Sequence, residues 1–383
     1  MRHQLPITLA LLSIASGARA HGPAPVALSV LTFEGEAAGV VHTNVGLASA
    51  RGDGSYAYVC PSRWDGNPRA LAFGVQDAVL VQSLGVAYLS RDAGCTFAPL
   101  DLADYVVRAA AWEGGFALLV EGPGGREVLR VDAAGRTTPL PLALPADPDG
   151  LHPAGSALWL AGAGPPAFVA RWDGEVEVVW QGALPGSRAI PVAAEAGAAW
   201  LETSDGALVR VDAEGPGPAR AFDRSRHGPI RLGDRTVALF DGVLHEWRDG
   251  AWRPDGERPW TCLEARGDRA FACSLDGTYE LTSGEPTPFF SLRQLAPPDT
   301  CGAAEAEPEC AREWAHFGGE SGWLETDPAL DPRSPRRPRG CAAAPGRSFR
   351  WPLLPLALLG LRIRSRGRSP NTEQGTELTC ELT

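Results

Sequence analysis

The sequence predicts an all-β chain made by repeating one small sheet, and three observations carry that reading. Apolar segments recur, each followed by a turn whose reference position is Gly46, Gly85, Gly125, Pro166, Gly206, Gly242 or Gly277. The intervals of 39, 40, 41, 40, 36 and 35 residues hold near one period, the mark of a repeat architecture. Inside the units, segments such as "EVLRVDAAG" and "ALVRVDAEG" alternate apolar and polar residues before a turn, a strand pattern with little helical spacing. Among the 383 residues, 45 Gly and 34 Pro favour short strands and many turns over long helices.

Units of this length with three or four strands fit the blades of a β-propeller. A single small sheet cannot cover both of its faces, whereas blades stacked in a ring cover one another. The expected count is seven blades over residues 21–295, with six or eight as alternatives.

The elements follow in chain order. Residues 1–20, "MRHQLPITLALLSIASGARA", have a basic start, an apolar run and small residues at Ala18 and Ala20. They read as a signal peptide, so the mature chain is expected outside the cytoplasm, where disulfides persist. Eight cysteines suit that compartment. Cys60 and Cys95 occupy comparable places in successive units, Cys262 and Cys273 are placed to bridge neighbouring strands, and Cys301 and Cys310 to close a short acidic loop. These pairings are expectations from proximity, since sequence does not fix connectivity.

The second unit holds "SRDAGCTF", with Ser90, Asp92, Gly94, Thr96 and Phe97 as S-x-D-x-G-x-T-F. This stretch resembles the Asp-box of BNR-like repeats found in sialidases, sortilin-type receptors and photosystem assembly factors. The resemblance implies a structural turn on the outer rim, the Asp side chain accepting from its own turn while the aromatic residue packs beneath. "SARGDGSYAY", "RVDAAGRTTPL" and "EWRDGAW" are degenerate versions.

Candidate chemistry is sparse. A net charge of -11, with every basic residue an arginine, disfavours nucleic acid as a partner. A sialidase-like enzyme needs an arginine cluster, a Tyr/Glu pair and a proton donor. The arginine-containing entry motif of such enzymes is missing before the first box, and "SRAIPV" at 187–192 is a mid-chain imitation with one extra residue. His21, first after cleavage, is a weak copper candidate with His42 or a later histidine as its partner. Trp112, Trp159, Trp172, Trp180, Trp200, Trp247 and Trp252 read as packing between sheets, with a sugar-stacking rim as the alternative. No C-x-x-C zinc motif, calcium loop or phosphate-cradling loop occurs, and no cofactor is expected.

After the blades, residues 296–340 read as an acidic loop or capping hairpin followed by a Pro/Arg-rich linker. Residues 341–368, with the residue before them, then place the Gly340–Cys341 pair, a small-residue spacer, the apolar run 351–361 and an arginine cluster in order. That order resembles the MYXO-CTERM sorting tail of myxobacteria, which implies processing near Cys341 and display on the cell surface. The run is 11 residues, is interrupted by Pro352 and Pro355, and is followed by a further tail at 369–383. The whole reads as a monomeric, non-catalytic, surface-anchored module that binds a protein or glycan and meets the membrane through its C-terminal segment. An extracellular glycan hydrolase and an assembly factor for a membrane complex are the alternatives.

Overall fold

The computed structural model describes residues 26–298, apart from positions 35–36, 52, 69, 185, 196, 222–226, 257, 267–268, 276 and 283–284, together with residues 307–315. The signal-peptide reading and all expectations for residues beyond 315 lie outside the described residues.

Seven antiparallel sheets follow one another along the chain, over residues 27–59, 71–99, 105–139, 150–182, 189–221, 227–254 and 262–291. The first strand of each contacts the first strand of the next, and that of the seventh contacts that of the first. The first strands therefore line the axis, and the sheets are the blades of a closed seven-bladed propeller. The turn positions predicted from the repeat all fall at or beside the junction between the second and third strands of a blade.

Burial explains the sequence pattern. Each second strand is covered on both faces by neighbouring blades, so it reads as a continuous apolar run, as in Ala157–Gly162, "ALWLAG", where every residue is buried. The fourth strand, on the outside, is largely exposed in Val176–Gly182, whereas that of blade 1, Tyr56–Val59, is buried. Apolar residues accordingly form seven clusters, one in each seam between neighbouring blades.

Close approach fixes some turns. A Cβ on Gly85, at φ 83°, would lie 2.0 Å from the ring of Tyr105, and one on Gly277 would lie 2.0 Å from the Phe290 carbonyl oxygen. Only glycine fits either position.

The end of the chain departs from expectation. Leu295–Ala296 pairs in parallel with the outer strand of blade 1, Leu295 opposite Tyr56 and Ala296 opposite Ala57. Residues 308–314 are helical, Pro308–Trp314, and not a loop or capping hairpin. Pro308 in the first turn suits a helix start, because its missing N–H leaves no donor unpaired there.

The disulfides need a second correction. Cys310, expected to close a local loop with Cys301, is bonded to Cys60 across 250 residues of sequence. The first blade and the returning helix meet only in three dimensions, which proximity along the chain does not reveal. Cys60 is therefore not paired with Cys95. Cys95 is itself disulfide-bonded, and Cys301 lies outside the described residues. Cys262 and Cys273 stand opposite each other on adjacent strands of blade 7 and are bonded.

Candidate functional site

Antiparallel order puts two sets of connections at one edge of every blade: the turn from second to third strand and the link to the next blade. We call this the upper edge. Leu71 and Tyr105 begin the inner strands of blades 2 and 3, Leu84 lies in the upper turn of blade 2, and Val86 opens its third strand. They are 55, 59, 79 and 39% exposed. Leu275, in the upper turn of blade 7, is exposed too. Among the described residues six large apolar side chains are exposed, and only Val178, on an outer strand, lies away from this edge.

The patch on blades 2 and 3 is held in place by its backbone. Val106 N–H donates to the Gly85 carbonyl at 2.8 Å, tying the start of blade 3 to the upper turn of blade 2. The Gln82 amide donates to the Val106 carbonyl at 3.0 Å, and Tyr105 lies over Gly85.

Farther round the ring, Arg108 and His152 come from the inner strands of blades 3 and 4, and Arg188 immediately precedes that of blade 5. Glu202, on the second strand of blade 5, stands opposite Ile190. Burial lowers the pKa of Arg108, the charge of Arg188 lowers it further, and Glu202 acts in the opposite sense. His152 is pushed down to about 4 by burial first and then by Arg108, so its imidazole is neutral at pH 7. Beside this group Asp149 knits three blades: it accepts from Arg126 at 3.0 Å, from Ala163 N–H at 2.8 Å and from Ala189 N–H at 3.0 Å.

Several arginines on the second and third strands are matched by carboxylates. Arg210 pairs with Glu195 at 2.6 Å, Arg235 with Glu246 at 2.7 Å, and Arg269 with Glu280 through two bonds of 2.8 Å. Glu246 also receives Arg248. The Arg248 bond is the largest influence on Glu246 and, with Arg235, holds the carboxyl down at about 2 despite the opposing effect of burial.

The turn from Ser90 to Phe97 is closed by its own side chains. Asp92 accepts from Thr96 N–H at 2.8 Å and from the Thr96 hydroxyl at 2.6 Å, while the Ser90 hydroxyl donates to Asp92 at 2.7 Å. Gly94 N–H donates to Ser90 Oγ at 2.9 Å. Phe97 packs edge-on to Trp64, ring centres 5.3 Å apart. Burial opposes ionisation of Asp92, but the Thr96 and Ser90 bonds outweigh it and lower its pKa. The turn is self-satisfied, which is a scaffold arrangement.

The tryptophans pack between blades. Trp200 of blade 5 meets Trp247 and Trp252 of blade 6 at 5.2 and 5.3 Å, and Trp112 of blade 3 meets Trp172 of blade 4 at 5.3 Å. Among the described residues no group of three or more His, Cys, Asp or Glu side chains is placed to hold a metal. His42 is buried, and burial pushes its pKa down to about 4 against a backbone hydrogen bond with Ala70. Gly340 and Cys341 lie outside the described residues.

Sequence reasoning passed over both the apolar group and the arginine pair. Arginine is abundant here, and only the ring brings positions 108, 152 and 188 within electrostatic reach. Their spacing of 44 and 36 residues, about one blade each, is the signal that marks them.

No protein-family model and no curated protein matches the chain. Solved structures do. BamB from Moraxella catarrhalis is 18% identical, with 62% of this chain and 77% of that one covered and a TM-score of 0.40. A streptogramin B lyase structure is 11% identical over 66% of this chain and 91% of that one, with a TM-score of 0.42. The extracellular domain of a one component system from B. thetaiotaomicron is 12% identical over 68% of this chain, with a TM-score of 0.47. The match spans only 39% of that last protein's length. At such identities the likeness concerns the fold alone, and the fold is that of a seven-bladed β-propeller.

Proposed function

We propose that this chain is an exported, surface-anchored binding module that recognises a protein partner through the upper edge of its blades, without catalysis. The observation that carries the reading is the gathering of Leu71, Leu84, Val86 and Tyr105 at that edge of blades 2 and 3. Exposed apolar side chains so grouped suit a protein contact. The remainder of each blade is scaffold, with several of its arginines paired to carboxylates. Disulfides support an oxidising compartment. The resemblance of residues 340–368 to a sorting tail supports processing at Cys341 and retention at the cell surface.

The test is a peptide and glycan array probed with the wild-type protein and with the Leu84→Ser, Val86→Ser, Tyr105→Ser triple variant, hydrolysis products being scored beside binding. The expected result is binding of a peptide or protein that the triple variant loses. Turnover of any glycan overturns the non-catalytic reading in favour of a hydrolase. Cell fractionation of a Cys341→Ala variant tests the anchor: release of the variant into the medium is expected, and unchanged surface retention overturns that part.

A further inference from the structure

Arg258 lies in the link from blade 6 to blade 7, on the upper edge, and its guanidinium rests in a corner between two aromatic rings. Its Cζ is 4.0 Å from the centre of the Tyr279 ring and 4.7 Å from that of Trp260. Both rings are buried, and they meet edge-on with centres 5.7 Å apart. Backbone bonds hold this corner in place. Trp260 N–H donates to the Gly242 carbonyl, in the upper turn of blade 6, at 2.8 Å. Thr261 N–H donates to the Cys273 carbonyl of blade 7, also at 2.8 Å. Tyr279 stands opposite Ala272 on the adjacent strand. Pro259 follows Arg258 and biases its backbone towards an extended conformation.

Two other arginines stacked on rings show what such a group takes. Arg269, also on blade 7, lies over Phe289 and Phe271 at 4.8 and 5.2 Å and donates two bonds of 2.8 Å to Glu280. Arg130, over Trp112 at 5.7 Å, reaches Glu113 at 3.9 Å. Arg258 is exposed, and among the described residues no carboxylate lies within ion-pair distance of it and no acceptor takes its N–H groups. Stacking occupies the face of a guanidinium and leaves its in-plane donors open, two of which a planar carboxylate matches at once. We infer that Arg258 anchors an aspartate or glutamate side chain of the protein partner at the upper edge of blades 6 and 7, as Glu280 is held by Arg269. Leu275, exposed in the upper turn of blade 7 two residues past Cys273, offers an apolar contact on the same edge. The ligand is therefore an acidic peptide segment that carries an apolar residue near its carboxylate.

The inference rests on the reading of the upper edge as the binding edge and names the chemistry that edge takes. The test is an array of short peptides containing Asp or Glu, each beside a twin with Asn or Gln and a twin with phosphoserine in its place. The full chain is expected to hold acidic peptides about tenfold or more tightly than their amide twins. Arg258→Gln is expected to lose that difference, with the far-UV circular dichroism spectrum as the check on folding. Capture indifferent to the amide replacement, an acidic preference that survives Arg258→Gln, or phosphoserine twins held more tightly than the carboxylates overturns the inference. Peptides captured without any acidic preference, and lost by the Leu84→Ser, Val86→Ser, Tyr105→Ser triple variant, overturn it alone and leave the partner-binding reading standing. Acidic peptides that the triple variant still holds and Arg258→Gln does not support the inference and remove the blade 2 and 3 patch from that reading. Capture of no peptide overturns both.

Discussion

The seam between blades 3 and 4 and the seam between blades 7 and 1 meet the same packing requirement by different means. At the first, Trp112, Leu119 and Val128 pack against Leu151, Leu158, Leu160 and Phe168, with no disulfide in the cluster. The two blades follow each other in the chain, so their meeting carries little loop entropy. The closing seam joins segments more than two hundred residues apart. It has a comparable apolar cluster, with Val41, Tyr56 and Tyr58 against Phe271 and Phe290. To this it adds the strand Leu295–Ala296 and a helix carrying Cys310. Cys60, Cys262, Cys273 and Cys310, the cysteines of both fully described disulfides, all belong to this cluster. Aromatic contacts reinforce it, with Tyr56 edge-on to Phe290 at 4.8 Å and Tyr58 against Trp314 at 5.6 Å. Where the chain is continuous, apolar burial is joined by hydrogen bonds and an ion pair; where the ring must be shut, disulfides and a returning strand are added.

The largest effect is expected from breaking the closure. Cys310→Ser removes a cross-link over 250 residues, which chain entropy values at about 5 kcal/mol. Hydrogen exchange is expected to accelerate in Tyr56–Val59 and Leu295–Ala296 before it does in blades 3 and 4. Uniform acceleration around the ring would erase the distinction between the seams.

Next comes an interior seam. Leu158 is fully buried, and Leu158→Ala is expected to cost about 3 kcal/mol in a denaturant titration. Its exchange signature should centre on blades 3 and 4, the mirror image of the cysteine variant. A cost below that of an exposed substitution would show that the interior seams do not rest on burial.

A smaller effect is expected on acidification. His42 and His152 have folded pKa values lowered to about 4 by burial, below the unfolded value of about 6.5. Between those values the unfolded chain binds protons that the folded chain does not. Stability is therefore complete above pH 6.5, falls as pH drops towards 4, and flattens below it with respect to these groups. Thermal melts across that window check this, and the dependence is expected to shrink in His42→Gln and His152→Gln. The smallest effect belongs to Leu84→Ser, an exposed turn residue, whose stability change is expected within about 0.5 kcal/mol even as partner binding is lost.

Much of the ring was legible in the sequence, and the reason is physical. Second strands such as Ala157–Gly162 are buried on both faces, so their apolar runs stand out, and the turn after each gives the period. Inner strands were less visible. "GLHPA" and "HGPIRL" carry Gly, Pro and His, because small or backbone-restricted residues let the inner strands crowd the axis; a Cβ on Gly150 would come within 2.9 Å of Ile190. The Asp92 turn was readable because all its partners lie within a few residues. The Cys60–Cys310 bond and the helix at 308–314 depend on contacts that exist only after the ring has formed, and no local pattern encodes them.

The position of the latch has a consequence for synthesis. Blade 1 is made before the other blades, yet its outer edge and Cys60 wait for Leu295–Ala296 and Cys310. A product broken off before residue 295 presents an open strand edge and an unpaired thiol. An open strand edge is a template for pairing with another chain, so the last pairing also guards the ring against association.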